Sequence, residues 1–110
     1  MRRPRMTPQL FELVAARFKA FGEPARLEIL HALGDGERTV TELVGATSIA
    51  QANLSRHLQQ LLAMGLVARR KRGLFAYYRL ADREVLRLCE LMCGRLEKEH
   101  TARTAALRSA

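Results

Sequence analysis

Two helix-start signals in the middle of the chain constrain its fold most. Thr39-Val40-Thr41-Glu42 has the pattern of a capping box, in which the Thr hydroxyl and the Glu carboxylate satisfy free backbone N–H groups. Ser48-Ile49-Ala50-Gln51 repeats that pattern shortly afterwards. The first signal predicts a short helix that ends near Gly45, and the second predicts a longer helix that ends at Gly65. A short helix, a tight connection and a longer capped helix form the outline of a helix-turn-helix.

Two helices are predicted before this unit. Thr7-Pro8 has the pattern of an N-cap and a first helical residue, and the helical spacing that follows ends at Gly22, so we expect a helix over about 8–21. Pro24 starts a second helix, and Gly34-Asp35-Gly36 forms the turn after it. The residues of the second helix that we expect to face inward are Leu27, Leu30 and Leu33.

A β-hairpin and a last helix are predicted after the unit. Residues 66–70 and 75–80 are strand-like, and the basic residues and Gly73 between them predict the turn. Asp82 caps a helix over about 83–106, whose apolar stripe contains Val85, Cys89, Met92 and Leu96, widened by Leu86 and Cys93. The order α-α-α-α-β-β-α predicts a mainly α protein with a winged helix-turn-helix fold.

The length and the charge of the chain narrow its class. We expect a single domain over residues 1–110, with a basic N-terminal tail over 1–7 and a C-terminal end that frays over about 100–110. Nineteen Lys and Arg residues against eleven Asp and Glu residues give a formal net charge of +8. Such a charge favours a polyanionic partner, because each neutralised phosphate releases condensed counterions.

The start of the longer helix and the hairpin turn hold the side chains that we expect to contact DNA. In the major groove Gln and Asn pair with adenine and Arg pairs with guanine, while Ser and His reach phosphates. Consecutive cations on a hairpin suit phosphates or the minor groove. The candidate DNA-binding residues are Ser48, Gln51, Asn53, Ser55, Arg56, His57, Gln60, Arg69, Arg70, Lys71 and Arg72. The alternatives are an ordinary polar helix surface and a solvated run of charges.

Several segments, taken together, resemble a known family. They are Ser55-Arg56-His57-Leu58, Gly65-Leu66-Val67, Arg70-Lys71-Arg72-Gly73, Tyr77-Tyr78-Arg79-Leu80 and the earlier stretch from Lys19 to Leu30. In combination they resemble the ArsR/SmtB family of small metalloregulatory repressors.

This resemblance implies both a fold and a function. The fold would be a winged helix-turn-helix that forms a two-fold homodimer through its first and last helices. The helix over 49–64 would enter the major groove of double-stranded DNA, and the wing over 69–73 would touch the flanking backbone or minor groove. The protein would be a sequence-specific transcriptional repressor that leaves a near-palindromic operator when an inducer binds. The apolar faces predicted for the first and last helices agree with a dimer, because their combined apolar surface exceeds what one small core can cover.

Two inducer sites of the family are not matched by this chain. Members that sense arsenic carry Cys-x-Cys at the third helix, where this chain has Thr39 and Thr41, whose hydroxyls cannot replace thiolates for a soft metal. Members that bind zinc, cobalt or nickel use Asp and His ligands in the last helix. Arg95 and Lys98 lie near two of those positions here, and their charges would repel a metal ion.

Cys89 and Cys93 remain as candidate inducer ligands. At positions i and i+4 of a helix they share one face, and a two-fold axis could bring two such pairs together. Thiolates suit As(III), Zn(II) or Cd(II), and a thiol pair also suits persulfide or disulfide sensing. Because Cys is among the most buried residue types, packing alone is the alternative explanation.

The other functional classes are less supported by the sequence. No Gly-rich phosphate loop, paired-carboxylate motif or Ser/His/Asp constellation points to an enzyme. Neither a signal-peptide pattern nor an apolar run of the roughly 18 residues that span a membrane is visible, so we expect a cytoplasmic protein with no membrane partner. The alternative functions are a winged-helix module for protein or RNA partners, or a DNA-binding regulator that senses no inducer.

Overall fold

The computed structural model describes residue 3 and residues 5–109. Within these residues the chain forms five helices and three strands: α1 (Pro8–Phe21), α2 (Pro24–Leu33), β1 (Arg38–Thr39), α3 (Val40–Ala46), α4 (Gln51–Ala63), β2 (Val67–Arg72), β3 (Phe75–Leu80) and α5 (Glu84–Ser109). This arrangement confirms the predicted winged helix-turn-helix. Residues 1, 2 and 4 of the predicted tail and residue 110 of the predicted frayed end lie outside the described residues. The helix α5 continues past its predicted end at about 106, and fraying there stays a prediction.

Most helix ends follow their local sequence signals. The Thr7 hydroxyl accepts the N–H of Leu10 at 3.1 Å, as an N-cap does. The capping box at the start of α3 is complete: the Thr39 hydroxyl accepts the Glu42 N–H at 3.2 Å, and the Glu42 carboxylate accepts the Thr39 N–H at 3.0 Å. After α4, Gly65 adopts a φ of +72°, which favours glycine and ends the helix.

The capping box predicted at Ser48 is wrong. The helix α4 begins at Gln51, and its N-cap is Ala50, whose side chain caps nothing. The Ser48 hydroxyl lies 3.0 Å from both carboxylate oxygens of Glu28, and the Ser48 N–H donates to Glu28 Oε1 at 3.1 Å. Ser48 therefore donates charge-assisted hydrogen bonds to α2, and the helix begins three residues later, out of reach of a cap by Ser48.

The sheet has one strand more than the sequence predicts. In the described part of the chain it is antiparallel with the order β1-β3-β2, because the short strand β1 pairs with β3. The pairing of Arg72 with Phe75 also extends β2, so that Lys71 and Arg72 belong to the strand. The turn is reduced to Gly73 and Leu74, and Gly73 has the positive φ of +62° that a two-residue hairpin turn requires.

The core lies between α2, α3, α4 and the sheet. Its largest fully buried side chains are Ile29, Leu30, Leu43, Leu54, Leu58 and Leu61. Leu30 and Leu33 face inward as predicted, but Leu27 is 39% exposed and lines a groove against α5 instead. Ile29 is fully buried beside Leu30. The face of α2 that packs on the core is therefore centred nearer to Ile29 than predicted.

The helices α1 and α5 stand outside this core. Ala20 is the one buried residue of α1, and no side chain described in α5 is buried. Both helices nevertheless present large apolar side chains to solvent: Phe11, Leu13, Val14 and Phe18 in α1, and Leu88, Leu91, Met92 and Leu96 in α5. An apolar surface of this size on a small domain marks a protein interface.

Candidate nucleic-acid interface

The outward face of α4 is exposed and mostly polar. Leu54, Leu58 and Leu61 are fully buried at helical spacing and attach the opposite face to the core. The middle of the exposed face therefore holds Ala52 and Arg56, with Gln59 one turn further on. This face can offer hydrogen bonds to base edges, and the methyl group of an alanine can contact thymine.

The predicted base-reading residues lie on or beside this face. Gln51, Asn53, Ser55 and Arg56 are all exposed, with Arg56 near the middle of the face and Gln51 and Asn53 at its edges. Ala52 and Gln59 also lie on this face but were not among the predicted residues. Placing every residue on a helical wheel around the buried leucines would have found both.

The first turn of α4 adds backbone donors to the interface. Its N-cap, Ala50, provides no side-chain hydrogen bond, and no other described side chain caps the N–H groups of this helix end. Such groups bind anions, because they point outward at the positive end of the helix dipole. Ser48, which was predicted to contact a phosphate, donates a hydrogen bond to Glu28 in this conformation.

His57 and Gln60 make contacts to α2 rather than facing outward freely. His57 is 6% exposed, which makes it unavailable to a phosphate in this conformation. Its Nδ1 accepts a hydrogen bond from Arg26 Nε at 3.4 Å and lies 3.6 Å from Glu23 Oε2. The same guanidinium donates to the amide oxygen of Gln60. Glu23, Arg26, His57 and Gln60 thus form a polar tether that joins α4 to the start of α2. Of the two residues that were predicted to contact DNA, only Gln60 is still exposed near the interface.

The strand β2 carries the cations of the wing. The side chains of Arg69, Lys71 and Arg72 are exposed and form no hydrogen bond or ion pair with any other described residue. Arg70 differs, because its Nε lies 2.7 Å from Glu37 Oε2 and its guanidinium carbon lies 5.5 Å from the centre of the Tyr77 ring. Three charges of the predicted run are thus available to phosphates, and the fourth stabilises the base of the wing.

The thiols of α5 lie away from this interface. Cys89 is half-buried and Cys93 is exposed, and both line a groove of about 1330 Å³ between α5 and the ends of α1 and α2. Burial raises the pKa of the Cys89 thiol above its ordinary value, and the charge of Glu90 raises that pKa further. The Cys93 thiol donates to Glu97 Oε1 at 3.8 Å.

Neither a metal cluster nor a membrane span is found in the residues that the structure covers. No group of three or more His, Cys, Asp or Glu side chains among them is placed to hold a metal ion. None of the helices, as far as they are described, is long and apolar enough to cross a bilayer.

Comparisons with known proteins give one consistent answer. A family model described as bacterial regulatory protein, arsR family, matches residues 23–69. The chain is 40% identical over 83 residues to the HTH-type transcriptional regulator Rv0324 of Mycobacterium tuberculosis, a match that covers 76% of this chain and 37% of that regulator. It is 35% identical over 88 residues to the arsenical resistance operon repressor of Bacillus subtilis, covering 77% of this chain and 84% of the repressor.

A solved structure agrees with these sequence relatives. The solution structure of a homodimeric winged helix-turn-helix DNA-binding domain from Mycobacterium bovis, a possible ArsR-family transcriptional regulator, superposes with a TM-score of 0.74 at 34% identity. The match covers 89% of this chain and 91% of that domain. The similarity therefore includes the helices and the wing.

Proposed function

Because this chain belongs to the arsR family of bacterial regulatory proteins, we propose that it is a homodimeric repressor that reads an operator with α4 and responds to an inducer at α5. The chain is a DNA-binding regulator rather than an enzyme. One observation supports operator binding above all others. The exposed polar face of α4 lies in the same small domain as the three unpaired cations of β2, Arg69, Lys71 and Arg72.

Each copy of α4 would enter the major groove. Arg56 is the exposed side chain best suited to guanine, and Gln51 and Asn53 are suited to adenine. The uncapped N–H groups of the first turn would contact a phosphate and set the depth of the helix in the groove. The cations of β2 would bind the flanking backbone, which adds affinity without sequence information.

The homodimer would form through α1 and α5. These helices have almost no buried residues in the single chain, and their exposed apolar side chains need a partner surface. A two-fold dimer places two identical reading helices side by side, so the operator is expected to be a near-palindrome with half-sites roughly 34–36 Å apart or a multiple of that.

Salt-dependent binding tests this function. The full chain is titrated onto duplex DNA from upstream of its own gene and onto a scrambled duplex, in about 50 and 200 mM salt. We expect tighter binding to the upstream duplex and a steep loss of affinity for both duplexes in the higher salt. Equal affinity for the two duplexes, or tighter binding to RNA of the same sequence, would favour the interaction-module alternative.

The inducer is proposed to bind Cys89 and Cys93. These thiols share one face of α5, and a carboxylate, Glu97, accepts a hydrogen bond from one of them. Redox sensing needs a low-pKa thiolate, whereas burial raises the pKa of Cys89. Glu90 and Glu97 line the same groove as the thiols, and their charges favour a cation over an anionic polysulfide. Zn(II) and Cd(II) accept both thiolate and carboxylate ligands, so they fit this donor set better than a sulfur species does.

A complete metal site would require both protomers. Two thiols and one carboxylate on a single helix do not form a closed coordination shell, and no group of three donors in the described part of one chain is placed to do so. A dimer interface that includes α5 around Cys89 and Cys93 would bring a second thiol pair close to the first. The site would therefore exist only in the dimer, which is also the state that binds the operator.

A displacement titration tests the inducer proposal. The complex with upstream DNA is titrated separately with Cd(II), Zn(II), arsenite and polysulfide, using the wild type and the Cys89→Ser/Cys93→Ser variant. We expect Cd(II) or Zn(II) to release the wild type, and we expect the double variant to keep its DNA affinity and stay bound. Release of both proteins by the same reagent at the same concentration would exclude the thiols as the inducer site.

The site of action follows from the proposed target. A bacterial regulator must reach chromosomal DNA, so we place this protein in the cytoplasm.

A further inference from the structure

The tip of the wing exposes two apolar side chains that the proposed DNA contacts do not use. Leu74 is 100% exposed and Phe75 is 59% exposed. Leu74 occupies the second position of the two-residue turn, directly after Gly73. Asn, Asp, Ser and Gly are the usual residues of such turns, because they satisfy the local backbone or tolerate its conformation. The turn geometry therefore gives no reason for a fully exposed leucine at this position.

Free cations surround this apolar tip. Arg72 precedes the turn and pairs across the hairpin with Phe75, and Lys71 is the next residue down the strand. Neither forms an ion pair with another residue in the described ranges. A surface complementary to this tip is negative at its rim and offers an apolar surface within. The minor groove of DNA offers this combination where a base step unstacks, because phosphates line its walls and the exposed faces of the bases are apolar.

Contacts to the rest of the domain hold the base of the wing in place. Arg70 joins the hairpin to Glu37, which precedes β1, at 2.7 Å, and lies over the ring of Tyr77. The strand β1 pairs with β3, so the hairpin is attached along a second edge. These contacts hold the base of the wing while the tip projects from it.

We propose that Leu74, supported by Phe75, is a wedge that enters the minor groove beside each half-site and partly unstacks one base step. This inference rests on the proposed function, since it needs a duplex bound by α4. Insertion of apolar side chains between base steps kinks DNA by roughly 20–90°. The wedge would also add specificity at positions that α4 does not touch. Pyrimidine–purine steps such as TA and CA unstack most easily, so the flanks are expected to be enriched in them.

The test uses a duplex that the wild-type chain itself selects from a random-sequence pool. Its bend is measured by the mobility of circularly permuted fragments, and unstacking is measured by the fluorescence of 2-aminopurine placed in the flanking step. We expect the wild type to bend the duplex and to raise the fluorescence. Leu74→Ser removes the apolar side chain but keeps a residue suited to turns, and we expect it to lose both signals.

Two control variants separate the wedge from other effects. Leu74→Met keeps an apolar side chain of similar size, so it should retain the bend and the fluorescence rise. Lys71→Ala removes a neighbouring charge, so it should weaken binding but leave the bend of the complex unchanged.

The outcomes separate this inference from the function on which it rests. If wild type and Leu74→Ser give the same bend and the same fluorescence, the wedge is wrong while operator binding stands. If Leu74→Met loses the bend as fully as Leu74→Ser, an apolar wedge is also wrong. If no duplex is enriched from the pool, both the wedge and the proposed function fail.

Discussion

Arg56 is the residue whose side chain we most expect to read a base, because it is exposed near the middle of the outward face of α4. Arg56→Ala should weaken binding to the selected duplex by about 1–3 kcal/mol and change binding to a scrambled duplex much less. Fluorescence anisotropy on both duplexes measures the difference. The matched control is Arg87→Ala, which removes an exposed arginine of α5 that lies 3.5 Å from Glu84. An equal loss on both duplexes would make Arg56 a phosphate contact.

Arg26 is expected to stabilise the position of α4 without touching DNA. Its side chain is 12% exposed and contacts Glu23, His57 and Gln60. Arg26→Met keeps much of the side-chain volume but leaves buried His57 without its donor, so we expect the free energy of unfolding to fall by about 1–3 kcal/mol. Urea denaturation measures this change, with the exposed Arg83→Met as the control. An unchanged free energy of unfolding would show that the tether contributes no stability.

Exposure of the candidate DNA-contacting residues was easier to predict than burial. Gln51, Asn53 and Arg56 are exposed as expected, because the outward face of an amphipathic helix can be read from its own periodicity. Ser48 and His57 were predicted to contact phosphates. Each is instead hydrogen-bonded to a residue of α2 that lies far away in the sequence, Ser48 to Glu28 and His57 to Arg26. Only tertiary structure brings those partners within reach.

At the scale of elements, the capping box of α3 should contribute stability that depends on pH. Its hydrogen bonds with Thr39 lower the pKa of Glu42 below the ordinary carboxyl value. The contribution is therefore fully present above the ordinary pKa and is lost as the pH falls through the lowered one. Thr39→Ala should reduce the free energy of unfolding at neutral pH by about 0.5–2 kcal/mol.

Urea denaturation at neutral and acidic pH tests this prediction. The difference between Thr39→Ala and the wild type should shrink in acid, because protonation of Glu42 weakens the same box in the wild type. Thr41→Ala, which removes an exposed hydroxyl at the second position of α3, should reduce the free energy of unfolding less. A difference that is equal at both pH values would contradict the role of the Glu42 carboxylate.

The wing should contribute affinity in proportion to its free charges. Lys71→Ala should weaken binding to selected and scrambled duplexes alike and lower the salt slope by about one. Arg70→Ala should lower the slope less, because the Arg70 charge is already paired with Glu37. Titrations at several salt concentrations measure both slopes. Equal slopes for the two variants would mean that DNA binding releases Arg70 from Glu37.

Elements with a strong periodic or capping signal were predictable, and those defined by pairing were not. The bounds of α1 match the prediction because Thr7-Pro8 and Gly22 determine them locally. The strand β1 is two residues long, which is too short to show alternation, and it exists because β3 lies beside it. The turn of the wing was predicted too wide, since a run of cations carries no information about cross-strand register.

At the scale of the whole molecule, the apolar surfaces of α1 and α5 make the dimer part of the function. Most of the large apolar side chains that the described residues leave exposed belong to these two helices, and the homodimeric domain from Mycobacterium bovis has the same fold. The dimer would position both copies of α4 and would join the two thiol pairs. A change at α5 could therefore alter the spacing of the reading helices, which would couple the inducer to operator affinity.

Hydroxyl-radical and methylation footprinting of the selected duplex tests most directly whether a two-fold dimer reads DNA with α4. We predict two protected major-groove windows, related by a two-fold axis and separated by one helical turn or a multiple of it. Arg56→Ala should lose guanine protection in both windows while the backbone protection by the wing remains. A single protected window, or protection that is the same on selected and scrambled duplexes, would contradict recognition by a paired α4.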